Sequence, residues 1–398
     1  MTFSPSPSPL PSTATTNFDA EGTRIWHLLL AAEKEALDIS PGLPAKYNDN
    51  LIGIRVLGFF LKDFWDHQDC YPFRLTPYRH LVFVLNCTTE DDPENSEPFQ
   101  ARMKKVFELG IEYRNHLMSI YRPNESSELR STPPTRDSPR SWDEVRADII
   151  ASMAHLPTTK RDAKKQALCR DGYKCLISGS YDYFYLKQLP ADRGAEIIAA
   201  EENFRAGPTD IVHLFPESTQ GVKSSSSEDY FAISKLFGIR DYIKLTGGEV
   251  NDLLNVLTIS VGLRPLFDDF TFWLESVPQQ PNTYNVVSTH PDLFAKLSMS
   301  TLKRVTFQVD PTLVREWNTN SPKDTNGNIP PLPSLPDPSL IAMRAACARV
   351  ARLSGAVEQA EQILEDRENA SVMDNKGGTA DLLNSLLLRY GAQATADI

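Results

Sequence analysis

Ile211-Val212-His213-Leu214-Phe215-Pro216-Glu217-Ser218 and Asn255-Val256-Leu257-Thr258-Ile259-Ser260-Val261-Gly262-Leu263-Arg264-Pro265-Leu266-Phe267-Asp268 are the strings that decide the fold. In the first, a histidine lies in a short apolar run that Pro216 ends. In the second, Val256 to Ile259 reads as a strand, and Asn255 sits just ahead of it. An asparagine in that place is commonly a turn residue. Asp268 lies about one helical turn past Arg264. No histidine occurs between His213 and His290.

Around these strings stands a chain of 398 residues with 41% hydrophobic content, enough to bury a substantial core and long enough for roughly two to three domains. The formal net charge of -11 repels a phosphate backbone unless basic groups are segregated onto one face. Cys70, Cys87, Cys169, Cys175 and Cys347 are odd in number and scattered, which indicates neither a disulfide framework nor a structural zinc site. Cys169 and Cys175 read as small core residues. Met1 to Asn17 lacks the basic and apolar regions of a secretory signal, and no stretch approaches the roughly 18 apolar residues of a membrane helix. The expectation is an intracellular protein without a membrane partner, nucleus and cytosol being indistinguishable. Sequons at Asn86, Asn124 and Asn369 then have no use.

Taken in order, residues 1–22 read as a disordered tail, because Pro5, Pro7, Pro9 and Pro11 among serines and threonines neither propagate a helix nor bury a core. Residues 23–121 read as a helical domain. Arg24 to Leu37 has apolar residues at helical spacing; Asn50 to Trp65 is apolar on nearly all sides, a buried helix or, from its β-branched start, a strand; Tyr78 to Leu85 is undecided between the two; Glu97 to Tyr121 carries an apolar helical stripe. Residues 122–140, dense in Pro, Ser and charge, form a linker. A domain at 141–317 opens on Ser141-Trp142-Asp143-Glu144, a capping-box pattern for a helix to about His155. Lys160 to Lys174 follows, with six positive charges against two negative: either a phosphate-facing surface or a solvated helix face. A helix is expected over Glu228 to Phe237, after a serine-rich loop from Gly221 to Ser227; Gly247-Gly248 is a turn. Residues 318–338 are a proline-rich linker, 339–370 one long helix packing on the core, and 371–398 a tail with a short helix at Asp381 to Tyr390.

The two opening strings, with Cys169 to Ser180 ahead of them, resemble the core of the HNH endonuclease domain in the form found in a group of fungal proteins. Leu51 to Leu61, Tyr284 to Val287 and Ala345 to Ala356 look like other parts of that group, so the resemblance covers most of residues 50 to 365. It implies a ββα finger in which the first strand carries a histidine base, an asparagine in the next loop braces it, and a histidine on the helix binds a metal. Carried over, His213 is the base and Asn255 the brace, with Phe267, Asp268 and Phe272 to Glu275 continuing the pattern. At the helix position relatives read Gly-Leu-His before Phe-Asp, whereas this chain has Arg264; a second histidine often present a few residues earlier is replaced within Ile259, Ser260 and Val261.

That departure bears on chemistry. Phosphodiester hydrolysis of this kind needs a base for the attacking water and a divalent cation for the departing oxygen, and a guanidinium has no lone pair to offer a cation. Asp268 is the remaining candidate metal ligand. The expected fold is α+β, an HNH-like ββα finger core embedded in a mostly helical protein. Two functions follow. One is a metal-dependent nuclease acting on nucleic acid, impaired by the loss, with a divalent metal ion as cofactor if active. The other is a catalytically silent module that binds nucleic acid or a protein partner through the old cleft, with Arg264 in the metal's place and Lys164, Lys165 and Arg170 as further phosphate contacts. Against both stands a plain alternative: Arg264 pairs with Asp268 or Glu217 and keeps the finger folded, and His213 is held in its strand by backbone hydrogen bonds.

Overall fold

In the computed structural model, residues 6–89, 99–121, 141–215, 235–239, 250–292, 304–320 and 329–371 are described. The amino-terminal part is helical: α1 (Ala20–Ile39), α2 (Asp49–Asp66), α3 (Thr76–Thr89) and α4 (Phe99–Ser119). Helix α2 is the centre of this layer because its sequence is apolar all round, so it must be covered on every side; Leu51 to Leu61 are all buried. Asn48 starts it, accepting from the Leu51 N–H at 3.0 Å while its own amide donates to the Ala36 carbonyl at 2.8 Å, which ties the end of α1 to the start of α2. Where α2 crosses α4, Gly53 and Gly110 lie back to back; a Cβ on Gly53 would come within 2.7 Å of the Gly110 carbonyl carbon. Only glycine at both positions allows so close a crossing.

Next come α5 (Trp142–Ser152), whose capping box between Ser141 and Glu144 is formed, and α6 (Lys160–Arg170). A two-residue parallel pair, β1 (Tyr181–Asp182) with β2 (Ala206–Gly207), encloses α7 (Tyr183–Gln188) and α8 (Ala191–Ala200). Strands β3 (Thr209–His213) and β4 (Val256–Ser260) pair antiparallel with His213 opposite Val256, and the short helix α9 (Arg264–Asp268) follows. An antiparallel sheet of β5 (Phe272–Ser276), β6 (Thr283–Ser288) and β7 (Arg304–Thr306) comes next, then α10 (Pro311–Asn320), α11 (Pro338–Ser354) and α12 (Ala356–Ser371). The protein is therefore α+β, mostly helical with small sheets. No helix among the described residues is long and apolar enough to cross a membrane.

Several expectations change. The disordered tail gives way to an ordered segment from residue 6: the buried Leu10 packs so tightly on α2 that a Cβ on Gly58 would meet its side chain at 2.5 Å, its N–H donates to Glu33, and Trp26 donates its indole N–H to the Pro11 carbonyl. The single carboxy-terminal helix is two, because Gly355 adopts a left-handed φ of 85° and ends the first. The separate helical domain is not separate either. One hydrophobic core runs from Ile25 and Phe60 through Cys175, Val212, Leu257 and Phe267 to Val350, with smaller clusters around Ile150 and Trp317 and around Ala167 and Val256. The undecided segment Tyr78 to Leu85 lies in α3. The linker 122–140, most of the Gly221–Phe237 segment, Gly247-Gly248 and the tail beyond 371 lie outside the described residues.

A buried ion cluster joins the first helices to α11. Arg349 donates to both Asp63 oxygens at 2.6 and 3.0 Å, to the Tyr71 hydroxyl at 2.7 Å and to Glu275 at 2.9 Å. Burial alone would raise the Asp63 carboxyl, but Arg349 and His67 outweigh it and hold Asp63 well below the usual carboxylate range. That contribution to stability is present above the unfolded value and is lost on acidification toward the folded one. Burial opposes the His67 charge, yet its contact with Asp63 raises the imidazole above 6.5, so the protonated pair adds stability below about pH 6.5 that disappears as pH rises through the folded-state value. Removing one partner of a buried pair leaves an uncompensated charge, so Arg349→Ala should cost about 3–5 kcal/mol, measured by urea unfolding at neutral pH; a loss below about 1 kcal/mol would show that the cluster is dispensable.

Candidate functional site

The site grows from the β3–β4 hairpin and the helix after it. Strand β3 delivers His213, and the next residues are fixed by Asn255, which is fully buried. Its Oδ1 accepts from the Phe215 N–H at 3.0 Å, and its amide nitrogen donates to the carbonyls of Phe215 and Val250, both at 2.9 Å. Asn255 thus stitches the segment leaving His213 to the segment entering β4, but its side-chain bonds go to Phe215 and Val250 and not to the His213 ring, whose partner is Asn251 instead. An asparagine suits this because it is both donor and acceptor at one short side chain.

His213 is half-buried, with Nε2 3.2 Å from the side-chain oxygen Oδ1 of Asn251. Burial pushes its imidazole down to about 4, aided by the positive charges of Lys160 and Arg264 and opposed by the Asn251 bond and Asp210. The ring is therefore neutral at neutral pH, with its proton on Nε2 toward Asn251 and a lone pair on Nδ1. In that state it can accept a proton, although weakly.

Arg264, at the start of α9, is buried and inserts its guanidinium between two carboxylates. Nη1 lies 2.7 Å from Asp210 and Nε 3.3 Å from Asp268. Asp268 is also 3.9 Å from the Arg344 guanidinium. Arg344 in turn donates to the carbonyls of Leu214 and Phe267, both at 2.8 Å, so α11 holds the residue after His213 and the helix of the hairpin in one grip. Lys164 donates to the Thr209 carbonyl at 2.8 Å and pairs with Asp210 at 3.2 Å. Burial would raise the Asp210 carboxyl, but Lys164, the Ile211 N–H, Arg264 and Lys160 together lower it.

The candidate phosphate contacts therefore divide. Lys164 reaches the site and is partly exposed, Lys165 faces solvent on the same helix, and Arg264 lies inside the site but is committed to carboxylates. Arg170 is corrected: it is fully buried, held bidentately by Asp171 and bonded to the carbonyls of Leu253, Val256 and Ser334. It locks α6 to the turn before β4 and has no surface to offer a phosphate. Asp268, the candidate metal carboxylate, is matched to Arg264 and Arg344. Among the described residues no group of three or more His, Cys, Asp or Glu is placed to hold a metal ion, and the donors present, two carboxylates already facing guanidiniums, do not fit one. Among the described residues, the two carboxylates Asp210 and Asp268 stand against four cations, Lys160, Lys164, Arg264 and Arg344.

Asp210, Asn251 and Arg344 carry much of this geometry without having stood out in the sequence.

The charges around His213 give a direct check. Followed by NMR, its imidazole should stay neutral from pH 8 down to about 5; Arg264→Gln should raise its titration and Asn251→Ala lower it further, and a His213 titrating near 6.5 would contradict the arrangement. Compared with known proteins, the chain matches no family model, no curated protein and no solved structure, so the roles of these residues rest on their own geometry.

Proposed function

We propose that this chain is an HNH-type nuclease-domain protein that has lost metal-dependent hydrolysis and uses the former cleft to bind the phosphate backbone of nucleic acid. One observation carries the reading: the Arg264 guanidinium lies 2.7 Å from Asp210 and 3.3 Å from Asp268, and it stands at the sequence position where the family that the chain resembles carries its metal-binding histidine. A fixed positive charge supplies attraction for a phosphate but cannot activate a leaving oxygen by exchanging ligands. The hairpin, the buried asparagine Asn255 just ahead of β4 and the short helix after it support descent from the ββα finger that the sequence resembles. Lys160, Lys164 and Lys165 on α6 are the groups through which a phosphate reaches the site.

The neutral state of His213, with Nδ1 open, favours a second reading in which residual cutting survives. A nicking assay on supercoiled plasmid with Mg²⁺, Mn²⁺, Zn²⁺ or Ni²⁺ separates the two. The expected outcome is no cleavage by the native chain, together with salt-dependent DNA binding that weakens in Lys160→Ala and Lys165→Ala, each lowering the salt slope by about 1. Cleavage that vanishes in His213→Ala would overturn the silent reading, and salt-independent or absent binding would overturn the nucleic-acid partner. Arg264→His should create calorimetrically detectable metal binding if the rest of the cleft is intact.

A further inference from the structure

Outside the hairpin site, a cavity of about 170 Å³ opens between the end of α2, the β5–β6 ribbon and α11. An engineered apolar cavity of ~150 Å³ accepts benzene, so this one has room for a compact ligand of about six to eight non-hydrogen atoms. Its walls are apolar, formed by Leu274, Pro278, Ala342 and Ala345. Its polar groups are unusually directed. Glu275 Oε1 is occupied by the Trp273 indole N–H at 2.8 Å and by Arg349 at 2.9 Å, but Oε2 has no hydrogen-bond partner among the described residues. His67 turns Nδ1 to Asp63, 3.2 Å from its Oδ1, leaving Nε2 as an acceptor whenever the ring is neutral. Asn285 Oδ1 accepts from Arg304 at 3.2 Å and keeps a second lone pair.

The charge balance points the same way. Asp63 and Glu275 contribute two negative charges and Arg349 one positive, so with neutral His67 the cluster carries an excess of one negative charge. That excess resides on the partly exposed Glu275, whose side chain is 31% accessible, against 6% for Asp63. Glu275, His67 and Asn285 all line this apolar recess, and a carboxylate, a neutral imidazole and an amide oxygen are the acceptor types that the three N–H donors of an ammonium require.

We propose that this cavity binds a primary ammonium on a short apolar stem, with Glu275 as its counter-ion. The stem is either that of a free alkylamine or that of a lysine side chain presented by a partner. His67 faces Asp63 from α2 and Arg349 from α11; Cys70, Tyr71 and Glu275 line the same cavity, while Asp69, a neighbour of Cys70, is not among its walls. Protonation of His67 cancels the excess negative charge and removes an acceptor, so ligand and proton compete and affinity rises as the imidazole is neutralised.

Isothermal titration of the full chain with n-butylamine and with Nα-acetyl-lysine-methylamide tests this, with n-butanol and butyrate as controls. Saturable binding of at least one amine is expected, tightening between pH 6 and pH 9, weakened at least tenfold by Glu275→Gln, and with a flattened pH profile in His67→Gln. Because Glu275 also receives Arg349, Ala342→Leu, which fills the recess from its apolar wall, provides a second variant expected to abolish binding while the unfolding temperature is retained. Tighter binding of the blocked lysine assigns the site to a partner chain; tighter binding of butylamine assigns it to a free amine. Butanol or butyrate binding as tightly as either amine, an unchanged affinity in both Glu275→Gln and Ala342→Leu, or no saturable amine binding would overturn the proposal.

Discussion

Two guanidiniums buried on one helix hold this protein together. Helix α11 is rich in alanine, which lets it lie close against both α2 and β5, and it carries Arg344 and Arg349 into the interior at 2% and 4% exposure. A buried cation is tolerated only when its donors are matched. Arg344 meets that demand with the carbonyls of Leu214 and Phe267 and by lying 4.1 Å from the centre of the Phe267 ring. Arg349 meets it with Asp63, Tyr71 and Glu275. One set of partners belongs to the hairpin and its helix, the other to the amino-terminal helices and the second sheet. The same helix therefore fixes where the two halves stand relative to each other.

This constraint explains how the candidate site keeps its shape with a guanidinium at its centre. The Arg264 guanidinium neutralises Asp210 and Asp268 in place, and Arg344 and Asn255 hold Leu214 and Phe215, the two residues after His213. The geometry of the hairpin and the short helix is held by these protein groups alone. On the proposed reading, selection for a rigid, cation-bearing recess is enough to preserve it.

Much of this was legible in the sequence, for reasons that can be named. The all-round apolarity of α2, the capping box at Ser141 and Glu144, and the strand at Val256 to Ile259 are local signals with local causes. The rest depended on partners distant in sequence. Counting charges treats Arg170 as one more surface cation, yet its donors meet the carbonyls of Leu253, Val256 and Ser334. Composition condemned the proline-serine segment before α1, although a single leucine, Leu10, found a glycine-made notch on α2. Helical periodicity continues in phase through Gly355 and hides the break there. Arg264 was legible as a departure, and its pairing with Asp268 was one of the alternatives weighed; Asp210 as its tighter partner was not, because a hairpin brings that residue in from far away in the chain.

The segment ahead of α1 has a bearing on how the chain acquires its structure during synthesis. The Ser8 N–H bonds to the Leu353 carbonyl at 3.1 Å, and Asp63 waits for Arg349. Both closures join residues made early to residues made much later, so α2 leaves the ribosome with Asp63 lacking the Arg349 guanidinium, although Leu10, made before it, is already present to fill the notch at Gly58. Such a chain matures only after translation has passed α11, and until then its exposed apolar helices are natural clients for a holding chaperone.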